Sequence, residues 1–168
     1  MPKRTTAEQV MRRKLATLTG DMNVMEAVGL LLKNKISGAP VVTEEGVLEG
    51  VLSELDCLNH VIHSVVNGVP TGLVADFMTR ELITVSPDTN LLSIVQLFVT
   101  NRIRRLPGVD NQGRLLGQLS RRDAMQTLYD MMKKQEKSGA SPLYLSAVYD
   151  QNEMPARLLG GQAKRSDE

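Results

Sequence analysis

Two stretches of the chain place apolar residues at helical spacing. In the first, residues 24–32, they stand at Val24, Ala27, Val28, Leu31 and Leu32. In the second, residues 91–99, they stand at the same offsets, at Leu91, Ile94, Val95, Phe98 and Val99. Asn23 precedes the first stretch and Glu26 follows three residues later, which is typical of a helix N-terminus. The pattern therefore predicts two helices that bury the same face.

Shorter apolar runs flank both helices and predict strands. "LATL" and "LITV" come before them, and "APVV" and "LPGV" come after, each with proline near its start. The glycine-closed turns "TEEG" and "DNQG" then lead into "VLEGVLS" and "RLLGQLS", which predicts two hairpins. The order is strand, helix, strand, hairpin strand, helix, given twice. If a right-handed crossover through the helix connects the first two strands, these strands are parallel. Each copy then forms a small mixed sheet with helices packed on it.

The two series of elements are copies of one unit. Residues 11–56 align with 78–123 without a gap, and more than a third of the 46 positions are identical. "GVLSELD" at 50–56 matches "GQLSRRD" at 117–123 in this register, an offset of 67 residues. We call two residues separated by this offset twins. Because one copy of about 50–60 residues buries little surface alone, we expect the copies to stabilise each other.

Composition narrows the class of protein. The 168 residues are 42% hydrophobic, which allows a real core, and a net charge of +1 favours neither nucleic acid nor a membrane surface as partner. The lone cysteine, Cys57, excludes an internal disulfide. The N-terminus lacks the apolar run of a signal peptide, and no stretch has the length of a transmembrane helix. We expect a soluble cytoplasmic protein that recognises its ligand locally.

The motifs "NKISGAPVV" with "NRIRRLPGV" and "GVLSELD" with "GQLSRRD", in this order of elements, resemble a tandem pair of cystathionine-β-synthase (CBS) domains, or Bateman module. The resemblance covers residues 9–132. It implies an α/β (α+β) fold of two pseudo-symmetric β-α-β-β-α repeats packed sheet to sheet, often in a homodimer. It also implies that an adenine nucleotide or adenosyl compound binds between the repeats as a regulatory ligand.

The resemblance also suggests a division of the chain into segments. They are an N-terminal segment (1–8), a first repeat (9–64), a Gly/Pro-rich linker (65–75), a second repeat (76–132) and a partly flexible tail (133–168). Within the tail, "LYLSAVY" could add a strand or pack on a partner.

Ser53 with Asp56, and their twins Ser120 with Asp123, stand where a strand gives way to a helix. One interpretation is helix capping alone, since serine and aspartate both favour a helix N-terminus. The other is ligand binding, because a carboxylate offers two acceptor oxygens that suit the paired hydroxyls of a ribose. In the CBS family the equivalent aspartate holds the ribose.

Further site residues follow from the resemblance. Thr17 and Thr84 match positions that line the adenosine cleft, or they reflect ordinary β-propensity. Arg104 and Arg105 match phosphate-binding arginines, or they form a solvated basic edge. In the cleft that the family geometry implies, Ser53 and Asp56 face Thr84, Arg104 and Arg105, with Arg122 nearby. The opposite cleft joins Ser120 and Asp123 to Thr17 and Ser37 and receives no arginine from "NKISGAP", so we expect the first cleft to prefer phosphorylated ligands.

A metal or catalytic centre is not expected. Cys57, His60 and His63 are three residues apart on one helix, and the outer two lie too far apart along its axis to share one zinc ion. No third group orients a Cys–His pair for catalysis, so we expect no enzyme and no obligatory cofactor. Two hypotheses remain: a sensor of AMP, ADP, ATP or a similar compound that acts on a separate protein partner, and a ligand-free CBS dimer that serves as an interaction scaffold.

Overall fold

The computed structural model describes residues 5–68 and 70–138, with side chains up to residue 134. The first repeat contains α1 (Ala7–Val10), α2 (Val24–Asn34), β1 (Gly38–Val42), β2 (Leu48–Ser53) and α3 (Glu54–Asn67). The second repeat contains α4 (Val74–Phe77), α5 (Leu91–Asn101), β3 (Arg105–Val109), β4 (Leu115–Ser120) and α6 (Arg121–Ser138). The segment "LYLSAVY" lies outside the described residues.

The predicted helices α2 and α5 begin at side-chain caps. Asn23 accepts from the backbone N–H of Met25 at 2.8 Å, and its twin Asn90 accepts from that of Ser93 at 3.0 Å. Each helix ends at a residue in the left-handed backbone conformation, Lys35 after α2 and its twin Arg102 after α5. The apolar faces are buried at Val24, Ala27 and Leu31 and at their twins. The prediction fails at Leu32 and its twin Val99, which are 71% and 65% exposed.

Each repeat contains one antiparallel hairpin. The four strands of these two hairpins are the only β-strands among the described residues, apart from isolated bridges. β1 pairs with β2 and β3 pairs with β4, with a register shift at twin positions, after Val41 and after Gly108. The turns use Gly46 and Gly113, whose φ values of 81° and 77° favour glycine.

The predicted first strands are shorter than their apolar runs suggest. "LATL" forms only a parallel bridge between Leu18 and Val41, and "LITV" only one between Val85 and Gly108. The Leu18 N–H donates to Pro40 O and its C=O accepts from Val42 N–H, both at 2.9 Å. The parallel arrangement is therefore present, but a single residue carries it in each repeat.

The start of each repeat packs against the other repeat. Arg12 pairs through its backbone with Gln118 on β4, and its twin Thr79 pairs with Val51 on β2. Gly117 permits the first of these contacts, because a Cβ there would lie 2.8 Å from the carbonyl oxygen of Arg12. The exchange joins the repeats within one compact unit, Thr5–Ala124.

The remainder of α6, from Met125, belongs to a separate unit. Within it, Gln126 donates to Asp130 at 3.0 Å, and the Lys133 ammonium lies 4.8 Å from the centroid of the Tyr129 ring. No helix among the described residues is both long and apolar enough to span a membrane.

Candidate functional site

Ser53 ends β2 and caps α3 through a reciprocal pair of contacts with Asp56. The backbone N–H and the hydroxyl of Ser53 both donate to Asp56 Oδ2, at 2.8 and 2.6 Å. The backbone N–H of Asp56 donates back to Ser53 Oγ at 3.2 Å. Asp56 Oδ1 forms no hydrogen bond within residues 5–68 and 70–134. One carboxylate oxygen thus holds the cap while the other remains available.

The twin turn at Ser120 repeats this geometry but adds a cation. Ser120 donates to Asp123 Oδ2 from its backbone at 2.9 Å and from its hydroxyl at 2.6 Å. Arg12 Nε donates to the other oxygen, Oδ1, at 3.0 Å. Burial alone raises the pKa of Asp123, but the hydrogen bonds from Ser120 and Arg12 outweigh it, so the pKa lies below the usual aspartate value. Asp123 is therefore ionised and already engaged on both oxygens.

The centre between the repeats is formed by two pairs of twins. Ser37 and Gly38 precede or begin β1, and their twins Arg104 and Arg105 hold the same places at β3. One guanidinium nitrogen of Arg105, Nη2, donates to Ser37 Oγ at 3.0 Å. These four residues consequently line two clefts, one on each side of this centre.

The cleft beside the Ser53 turn, cleft A, has a volume of about 700 Å³. It is lined by Ser37, Gly38, Val51, Ser53, Glu54, Leu55, Asp56, Leu58, Thr79, Glu81, Leu82, Ile83, Ile103, Arg104, Arg105 and Pro107. Its walls come from the first repeat's hairpin and helix α3 and from the segments before α5 and at the start of β3 of the second repeat.

The cleft beside the Ser120 turn, cleft B, has a volume of about 490 Å³. It is lined by Arg12, Lys14, Leu15, Ala16, Asn34, Ile36, Ser37, Gly38, Pro40, Arg104, Arg105, Gln118, Leu119, Ser120 and Asp123. Most of these residues are twins of residues that line cleft A. The two linings therefore differ in residue type at only a few matching positions.

The structure brings most of the residues proposed from the sequence into these clefts. Cleft A contains Ser53, Asp56, Arg104 and Arg105, and cleft B contains Ser120, Asp123 and Ser37.

Three proposed residues do not line either cleft. Thr17 and Thr84 are exposed, and the preceding residues, Ala16 and Ile83, face the clefts instead. Arg122 is also exposed and is not part of either lining.

The segment "NKISGAP" brings no arginine to cleft B, but three arginines from other segments, Arg12, Arg104 and Arg105, line it. Arg104 and Arg105 line both clefts, because they lie at the centre where the repeats meet. Cleft A sets these two arginines against three carboxylates, a formal charge of −1. Cleft B sets four cationic side chains against one carboxylate, a formal charge of +3. The charge difference is the reverse of the expected one.

Sequence reasoning missed Arg12, Lys14 and Gln118, which all line cleft B. Their twins in cleft A are Thr79, Glu81 and Val51. The signal lay in the same alignment, at positions where the repeats differ rather than where they agree.

The residues considered for a metal or catalytic centre have structural contacts. Cys57 is buried, and this burial, together with the charge of Asp56, raises the pKa of its thiol. The His60 ring stacks on Phe77 with centroids 3.6 Å apart, and its Nε2 accepts from the backbone N–H of Gly72 at 3.1 Å. Within the described part of the chain, no three His, Cys, Asp or Glu residues are grouped as a metal site requires.

Two similar α+β repeats, joined by exchanged N-terminal segments and bordered by two clefts, define a paired-repeat module. The CBS domain model matches residues 7–63 and 74–130, and the chain belongs to this family. Its pseudo-symmetric repeats have the fold predicted from the sequence.

Relatives of known structure share this fold over most of the chain. CBSX2 of Arabidopsis thaliana, crystallised with AMP, is 29% identical with a TM-score of 0.66, over 76% of this chain and 98% of that one. The cytosolic domain of the Mg²⁺ channel MgtE, crystallised with ATP, is 27% identical with a TM-score of 0.63, over 73% and 48%.

Among curated relatives, the uncharacterised protein MJ1426 of Methanocaldococcus jannaschii is 32% identical over 138 residues, 64% of this chain and 82% of that protein. The chain covers only 41% and 23% of two longer relatives from the same organism. The similarity to these longer proteins is therefore partial.

Proposed function

We propose that this protein is a regulatory module that binds an adenosine ligand such as AMP, ADP or ATP and transmits its presence to a separate protein partner. The observation that carries the proposal is the Asp56 carboxylate in cleft A. One of its oxygens caps α3, and the other has no hydrogen bond among the described residues. A ribose diol is a suitable donor for that second oxygen.

The rest of cleft A fits a nucleoside. Apolar side chains from both repeats, including Val51, Leu82 and Ile83, offer contact area for a purine ring. Arg104 and Arg105 line the same cleft and can bind a phosphate group. Membership of the CBS family and the AMP and ATP bound to CBSX2 and MgtE support this ligand class.

The test is a thermal unfolding series with adenosine, AMP, ADP, ATP and, as a control, GMP. A ligand present at a hundred times its dissociation constant adds about 2.7 kcal/mol to the free energy of unfolding. For a chain of this length, we expect a rise in Tm of about 2–4 °C for each kcal/mol. An unchanged Tm with every adenosine compound at millimolar concentration contradicts the proposal.

The alternative function, a scaffold built on a homodimer, is favoured by one surface of α3. Its apolar side chains are 65–77% exposed at Leu55, Leu58, Ile62, Val65 and Val66. Exposed apolar patches of this kind usually mark an interface. We propose that a second copy of the chain covers this face, whether or not a ligand occupies the clefts.

Sedimentation velocity tests the dimer. The wild type should sediment as a dimer at micromolar concentration, and Ile62→Glu should give a monomer because it places a charge within the apolar face. His63→Glu, at an exposed polar position of the same helix away from the apolar face, is the control and should remain dimeric. A wild type of 18.5 kDa at all concentrations rules out this contact.

A further inference from the structure

Three of the twin pairs at which the linings of clefts A and B differ change charge or hydrogen-bonding capacity. Arg12 in cleft B replaces Thr79 of cleft A, and Lys14 replaces Glu81, which reverses a charge. The third pair is Gln118 in cleft B against Val51 in cleft A. All three changes make cleft B more cationic or richer in hydrogen-bond donors.

Gln118 is the clearest sign that cleft B is built for a ligand. The residue is 5% exposed, and its side-chain nitrogen Nε2 is buried without a hydrogen-bond partner among the described residues. Leaving a buried amide donor unpaired costs free energy, so such groups are uncommon and usually have a partner. Because Gln118 lines cleft B, a ligand atom that accepts a hydrogen bond can supply that partner.

The pair of Arg12 and Asp123 contributes more to selectivity than to stability. The Arg12 side chain is 69% exposed while that of Asp123 is 12% exposed, so solvent screens the pair and its contribution to folding is small. The pair does, however, occupy Asp123 Oδ1, and the matching oxygen of Asp56 in cleft A has no hydrogen bond among the described residues. A ribose diol in cleft B must compete with Arg12 for that oxygen, whereas a phosphate can bind the guanidinium directly.

We propose that Arg12 and Gln118 are specificity-determining residues, which make cleft B selective for a nucleoside di- or triphosphate. Arg12 and Lys14 bind the phosphate chain together with the central arginines, and the Gln118 amide donates to the ligand. Cleft A, with its formal charge of −1, takes the less charged member of the same ligand class. The nucleoside part of this assignment rests on the proposed function, but the anion site itself does not.

The test is calorimetric titration of ATP, adenosine and inorganic tripolyphosphate into the wild type, Arg12→Thr and Gln118→Val. Each variant introduces the twin residue of cleft A at the matching position. Arg13→Thr is the control, because Arg13 carries the same charge next to Arg12, pairs with Glu8 and does not line the cleft.

We expect Arg12→Thr to weaken ATP and tripolyphosphate binding by about tenfold or more, as for loss of a charged hydrogen bond. Adenosine binding should not weaken, because Asp123 is released from the pair. Arg13→Thr should leave the ratio of ATP to adenosine affinity unchanged. Gln118→Val should weaken ATP by about two- to tenfold without lowering the Tm of the ligand-free protein, since it removes an unpaired buried donor.

The outcomes separate this proposal from the general one. If tripolyphosphate binds through Arg12 while no adenosine compound binds, the anion site stands and the adenosine function fails. If adenosine compounds bind but Arg12→Thr changes ATP and adenosine equally, or changes neither, cleft B is not the phosphate-selective site. Absence of binding by all three ligands overturns both proposals.

Discussion

Replacing Asp56 with alanine separates helix capping from ligand binding, because Oδ2 of this carboxylate caps α3 and Oδ1 is the oxygen proposed to bind the ribose. Oδ2 accepts two hydrogen bonds from Ser53, at 2.8 and 2.6 Å, and both are lost in Asp56→Ala. Loss of a capping residue costs about 1 kcal/mol. For a protein of this length, the Tm of the ligand-free variant should fall by about 2–4 °C.

The effect on affinity depends on Oδ1. If this oxygen holds the ribose, Asp56→Ala removes a hydrogen bond to a charged group, which contributes about 1.5–3 kcal/mol. Because about 1.4 kcal/mol corresponds to a factor of ten, adenosine affinity measured by calorimetry should fall roughly 10- to 150-fold.

Glu54→Ala is the matched control for this measurement. It removes another carboxylate from the first turn of α3 and from the lining of cleft A, whereas the hydrogen bonds of Ser53 go to Asp56. Its effect on adenosine affinity should be small. Adenosine affinity that is equal in Asp56→Ala and the wild type would refute the ribose assignment and leave Asp56 as a cap.

Two further predictions concern stability. Gly50→Ala should lower the Tm, because a Cβ would lie 2.9 Å from the Thr79 carbonyl oxygen and overpacking costs about 1–3 kcal/mol. Gly29→Ala is the control and should raise the Tm, because a Cβ there would have no atom within 4 Å. Equal shifts of Tm in the two variants would show that the close approach at Gly50 is not needed. Since the pKa of Asp123 is lowered in the folded protein, its stabilising contribution is complete above the unfolded value of about 3.9 and is lost as the pH falls through the lower folded value. Melting curves of wild type and Asp123→Asn should therefore converge as the pH falls below about 4, and a constant difference would argue against the ionised carboxylate as the cause.

The sequence predicted the parts of the fold that local chemistry determines. Asn23 caps α2 and Ser53 caps α3 as their positions indicated, because a capping side chain acts on a backbone only two or three residues away. The hairpins followed from glycines whose conformation few other residues adopt.

Longer-range features could not be read in this way. The exchange of N-terminal segments depends on contacts such as that of Arg12 with Gln118, more than a hundred residues apart. The outward position of Thr17 and Thr84 was equally hidden, because a segment that forms one bridge has no sheet to fix which face its residues present.

The unequal clefts follow from where a duplicated chain can diverge. Residues at the centre of the pair, such as Arg105 and Ser37, border both clefts, so a substitution there changes both together. Only residues further from the centre belong to one cleft, and Arg12 and Gln118 are of this kind. A chain that duplicates one binding unit can therefore give its two sites different ligands while the arginines between them remain common to both. Arg105 illustrates this sharing, because it lines both clefts while its Nη2 donates to Ser37 Oγ at 3.0 Å.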